Sequence, residues 1–229
     1  MAVPDPVIRG PGSLDRLRDL NDRQREAVLT LSGPVLILAG AGTGKTRVIT
    51  YRIAELIRRG ASPERILSVT FTNKAAREMQ QRTALLLGRR RPQKPLVATF
   101  HSLCVRILRQ EAALLGYPPN FTICDRNDQE SAARAALREI RVTDKTLKPA
   151  DLVHRISRWK TEGILPQHAT ESVENDLDFL AAAAYRRYQQ ALKSRGATDF
   201  DDLLLLTHGL FRDFPQALAR HQSRFDHAP

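Results

Sequence analysis

The sequence predicts an α/β fold built on a parallel sheet, with an all-helical block inserted into it. Two observations carry this expectation. Over the first hundred residues short apolar runs alternate with amphipathic segments, the order that wraps helices around a parallel sheet. From about His101 to Gly196 the alternation stops, and only helical patterns and loops follow, broken by "YPPNF", "KPAD" and "ILPQH".

The elements follow in order. Residues 1–18, rich in Pro, Gly and charge, are expected to form a mobile leader and lack the apolar stretch of a signal peptide. "LNDRQREAV" opens a helix, with Asn21 or Asp22 as its cap and Ala27 and Val28 turning inward. "GPVLILAG" (33–40) is an apolar run bounded by Gly, expected as a strand buried on both faces. From Lys45 onward Val48, Ile49, Ile53, Leu56 and Ile57 recur at helical spacing, and Gly60 closes the segment. "RILSVTFT" (65–72) reads as a second strand and "NKAAREMQQRTALLLG" as a second helix, capped by Asn73 and stopped by Gly88. "PLVATF" (95–100) is a third strand, and "LDFLAAAAYRRYQQALKSRG" (177–196) is the clearest helix of the later block.

Composition narrows the function classes. A 42% hydrophobic content supplies a core and excludes wholesale disorder. No run of about 18 apolar residues exists to cross a bilayer, so no membrane partner and a cytoplasmic location are expected. Cys104 and Cys124 form no CxxC and sit in apolar surroundings, which reads as free buried thiols. The formal net charge is +11, and residues 1–125 carry 20 bases against 10 acids. Such a confined excess suits a surface facing a polyanion; the other reading is an Arg-rich solvated surface.

The densest chemical signal is "LAGAGTGKTR". Residues 39–46 fit [AG]-x-x-x-x-G-K-[ST], with Ala39 where the stricter pattern has Gly. Gly40, Gly42 and Gly44 let the backbone around Ala41 and Thr43 curl so that N–H groups face phosphate oxygens. Lys45 is placed to reach the β and γ phosphates, and the Thr46 hydroxyl to ligate magnesium. The helix that follows aims its positive end at the anion.

Five stretches come in a fixed order: "LNDRQREAV", "AGAGTGKTR", "VTFTNKAAREM", "TFHSLCVRILR" and "DFDDLLLLT". Together, over about residues 18–229, they resemble the N-terminal part of superfamily-one DNA helicases of the UvrD/Rep/PcrA type. The resemblance implies an ATP- and Mg2+-dependent enzyme that moves 3′→5′ on single-stranded DNA and meets duplex junctions. It implies a P-loop, RecA-like core at 19–103, a helical insertion at 104–196 and a return to the core at 197–229. By the same resemblance Gln24 reads the adenine edge and Arg47 lies against the adenine face. Phe71, Thr72 and Asn73 would line the single-stranded DNA track, and Thr99, His101 and Ser102 would lie close to it. Phe71 as strand-end core and Asn73 as a plain helix cap are the competing readings. Asp199, Asp201 and Asp202 favour a helix N-terminus rather than a metal site.

A P-loop ATPase holds magnesium with an acid at a strand end. Asp125, after "FTIC", is better suited to capping a helix. The expected acidic strand would follow "FPQALARHQSRF", where the sequence reaches "DHAP". The magnesium carboxylate and the second half of the motor are therefore expected outside these 229 residues. Rival expectations are a nuclease-linked recombination helicase, a non-catalytic nucleotide- and DNA-binding module, and a remnant that does not fold alone.

Overall fold

The computed structural model describes residues 17–88 and 93–229; most of the expected leader lies outside them. The chain divides into two compact units, residues 1–98 with 225–229, and residues 99–224. Its architecture is α/β, mostly helical, with short two-stranded sheets.

In the first unit α1 (Asp22–Leu29), α2 (Lys45–Arg58), β1 (Leu67–Thr70), α3 (Asn73–Leu87) and β2 (Leu96–Thr99) follow one another. Helix α1 starts in a capping box. The Asn21 side chain accepts from the Gln24 N–H, and the Gln24 side chain accepts from the Asn21 N–H. Arg52 of α2 is buried and donates to the carbonyls of Ala27 and Thr30 at the other end of α1. A cation at a helix C-terminus satisfies orphan carbonyls and opposes the helix dipole. Helix α2 packs between α1 and α3. Its Ile53, Leu56 and Ile57 meet Ile66, Met79 and Val97 in one core, and Val48 joins Leu20 and Val28 in another. Just before β1, Ile66 forms a parallel bridge with His227. Arg65 grips the Asp226 carboxylate there through two nitrogens.

One expected strand is absent. Residues 33–40 are irregular, no ladder joins them to β1 or β2, and Leu36 and Leu38 are 84% and 87% exposed. An apolar run becomes a central strand only when neighbours supply hydrogen bonds on both sides. Here β1 pairs with β2 on one side. On the other side the bridge to His227 reaches no further than Ile66 and Leu67 among the described residues, so no ladder extends to 33–40. The cap of α3 also differs by one residue. Thr72 is extended and accepts from the Ala75 N–H at 3.1 Å, so Asn73 is the first helical residue.

The second unit holds α4 (Phe100–Glu111), β3 (Thr122–Ile123), α5 (Arg126–Glu139), α6 (Pro149–Thr161), α7 (Asp176–Ser194), β4 (Ala197–Thr198), α8 (Phe200–Asp213) and α9 (Pro215–Gln222). It was expected to be all-helical up to residue 196. A short parallel ladder instead pairs Thr122 with Ala197 and Ile123 with Thr198. Gly196 makes the approach possible at φ +61°: a Cβ there would sit 2.9 Å from the Pro118 ring. Helices α5, α6 and α7 enclose Trp159, Tyr185, Tyr188, Leu137, Leu152 and Ile156. Helix α8 buries Leu203 against Cys104, Leu108 and Phe121, and Leu210 against Ile107 and Ala217.

These contacts explain why the compact units divide at 98/99 and 224/225. Helix α8 carries its apolar side to α4, so residues 197–224 pack with the helical unit, and only 225–229 join the first. Asp125 caps α5 in a capping box with Asp128, and Asp199 caps α8 in another with Asp202, as expected. Cys104 is buried, Cys124 half-buried, and both thiols are free. Among the described residues no helix is long and apolar enough to cross a membrane.

Candidate functional site

The glycine loop forms although the strand before it does not. Gly42 and Gly44 adopt φ +76° and +91°, the left-handed region that side chains disfavour. A Cβ on Gly44 would also come to 3.0 Å from the Gln24 amide nitrogen. Gly44 is the cap of α2, and no side chain caps it. The first N–H groups of α2 therefore point into the loop without a side-chain acceptor, the arrangement that receives an anion.

Lys45 curls back over this loop. Its ammonium donates to the carbonyls of Ala39 at 2.6 Å and Gly40 at 2.7 Å, and the Thr43 hydroxyl donates to the same Gly40 carbonyl at 2.7 Å. The charge is held where phosphate oxygens would approach, by weaker acceptors that an anion can displace. Ala41 is exposed at the tip, and Thr46 is half-buried in the first turn of α2. Gln24 ties α1 to the loop, donating from Nε2 to the Thr43 carbonyl at 3.0 Å. Arg47 lies with its guanidinium 5.6 Å from the centre of the Tyr51 ring and 3.9 Å from the Asp19 carboxylate. Gln24, the loop and Arg47 are thus assembled within one unit.

No group of three or more His, Cys, Asp or Glu side chains suited to a metal occurs among the described residues. Asp125 is engaged as a cap, its oxygen accepting from the Asp128 N–H at 2.9 Å. Thr46 is the magnesium-ligating type of residue that the loop itself offers.

The expected DNA-facing residues fall in both units. In the first, Phe71 follows β1 and is 86% exposed, so it is not strand-end core; exposed Thr72 and Asn73 begin α3 beside it. In the second, Thr99 is buried and caps α4, accepting from the Ser102 N–H at 3.1 Å and sharing a 2.8 Å hydroxyl contact with Ser102. His101 stacks on Phe200 with ring centres 4.0 Å apart. Burial lowers its pKa, against the pull of Asp201, so at neutral pH it offers a ring rather than a charge. In "DFDDLL" the acids mark a helix cap and do not single out Phe200, whose signal is an aromatic set between acids at a helix start.

Those same acids close a buried cluster. Lys160 reaches Asp199 at 2.6 Å and Asp202 at 2.7 Å, Tyr188 donates to Asp199 at 2.8 Å, and Gln189 donates to Asp202 at 2.9 Å. These carboxylates are committed to the fold.

A family model described as the UvrD/REP helicase N-terminal domain matches residues 20–228. The ATP-dependent DNA helicase PcrA of Leuconostoc citreum is 41% identical over 209 residues, covering 91% of this chain and 28% of the relative. PcrA of Staphylococcus epidermidis is 42% identical over 212 residues, covering 92% and 29%. PcrA of Staphylococcus aureus is similar at 42% identity over 212 residues. The chain spans under a third of the length of these relatives.

Proposed function

This chain belongs to the UvrD/REP helicase N-terminal domain family, and from that premise we propose that it supplies the nucleotide-binding portion of an ATP-driven DNA motor. The observation that carries the reading is the loop itself: an uncapped helix start at Gly44, left-handed glycines, and the Lys45 ammonium resting on the Ala39 and Gly40 carbonyls. These groups fit a triphosphate. Lys45 would exchange the two carbonyls for β- and γ-phosphate oxygens, and the N–H groups of the loop and of α2 would receive the rest. The Thr46 hydroxyl would hold magnesium, which supplies charge neutralisation when bound. Gln24 offers its amide to the adenine edge and Arg47 its plane to the base face.

On this reading β1, β2, α2 and α3 would be part of a RecA-like P-loop core at 19–103, interrupted by a helical insertion at 104–196 and resumed at 197–229. The motor would hydrolyse ATP to move 3′→5′ along single-stranded DNA toward duplex junctions. Phe71, Thr72 and Asn73 would touch the strand from the first unit. From the second, the His101–Phe200 stack would present a further aromatic face, with Thr99 and Ser102 shaping the helix start beneath it.

Calorimetric titration with ATP tests the site. Lys45→Ala should weaken binding by about 1.5–3 kcal/mol, the worth of a hydrogen bond to a charged group. Equal affinity of both forms would remove the loop from consideration.

A further inference from the structure

Arg47 is held from two sides by residues outside the motifs that mark the site. Tyr51 lies one turn further along α2, and its ring rests against Leu20, Val28 and Val48. The Arg47 guanidinium sits over that ring, 5.6 Å from its centre. Asp19, two residues before the cap of α1, reaches the same guanidinium at 3.9 Å. About 40% of the Arg47 side chain stays exposed. Tyr51 thus occupies one side of a planar cation while part of it remains open to solvent.

An unheld arginine carries substantial rotamer freedom, and a base that stacks on it must first immobilise it. A guanidinium already seated on an aromatic ring and tethered by a carboxylate loses less. We propose that Tyr51 and Asp19 are positioning residues that hold the Arg47 plane ready for the base of the nucleotide. This rests on the reading of Arg47 as base-facing. Both residues contact Arg47, whereas the glycine loop is engaged by Lys45, so their contribution is expected at the base and not at the phosphates.

The test compares ATP with inorganic tripolyphosphate, which has the phosphates and no base, by calorimetry on the 229-residue chain. Tyr51→Leu and Asp19→Asn should each weaken ATP by roughly two- to fivefold, the scale of an exposed cation–π or ion-pair contact. Tripolyphosphate affinity should stay unchanged, and Tyr51→Phe, which keeps the ring, should restore ATP affinity. Asp19 is largely exposed, so its variant separates positioning from any folding effect at Tyr51. Arg47→Gln tests the underlying reading. If it leaves the ratio of ATP to tripolyphosphate affinity unchanged, the base-facing role of Arg47 fails. If it lowers that ratio while Tyr51→Leu and Asp19→Asn do not, the positioning role alone is overturned. A matched loss of both ligands in the Tyr51 and Asp19 variants overturns it as well.

Discussion

Lys160 meets Asp199 and Asp202, about forty positions further along the chain, inside the second unit. The cluster sets two carboxylates against one ammonium, all three buried. Burial, helped by the nearby Asp199 charge, pushes the Asp202 pKa above its ordinary value despite the pull of Lys160. A pH dependence follows. Between the unfolded value near 3.8 and the raised folded one, the native state keeps a proton that the unfolded chain has released. Stability from this group is therefore present at low pH and lost as pH rises through that window. Glu111 acts in the opposite sense. Arg220 holds its pKa below the usual range, so its contribution is present above the unfolded value and lost as pH falls. Melting temperatures from pH 4 to 8 for the native chain and Asp202→Asn should isolate the first effect. The advantage of the native chain over the variant should shrink as pH rises, and a difference that stays flat would contradict it.

Helices were readable where their signals are local. Asn21, Asp125 and Asp199 all cap as their sequence contexts imply. Elements that depend on distant partners were not readable. The run at 33–40 has the composition of a central strand but no neighbouring ladder, and the two-residue pairing of β3 with β4 is too short to leave a periodicity. At the start of α3 two capping residue types stand side by side, and backbone geometry chooses between them. Thr72 is extended at φ −121°, ψ 147°, and its hydroxyl takes the Ala75 N–H. Thr72→Ala should therefore cost about 1 kcal/mol in urea unfolding, the usual worth of an N-cap. Asn73→Ala, inside the first turn, should cost much less. The reverse order would return the cap to Asn73.

At the scale of the whole chain, the basic excess admitted two readings, a face for a polyanion or an Arg-rich solvated surface, and the sequence could not choose between them. Burial removes one obstacle to the first. Phe71 was open to being core, yet its ring is the most exposed large aromatic side chain, next to exposed Lys74 and Arg77 on α3. Apolar area left in water beside cations is the combination that binds single strands: phosphates supply sequence-independent affinity, and any base can stack on a ring. Fluorescence anisotropy with labelled single-stranded DNA at low salt should then show sequence-tolerant binding. The logarithm of affinity should fall with the logarithm of salt at a slope of about 0.7 per phosphate neutralised. Phe71→Ala should cost about 1–3 kcal/mol of binding, one stacking platform. Because the ring is exposed, the melting temperature should not move. A melting temperature that falls together with affinity would mean that Phe71 supports the fold. A salt slope with no response to Phe71→Ala would mean that the charge is an unspecific surface, and the DNA-facing role of residues 71–73 would fall.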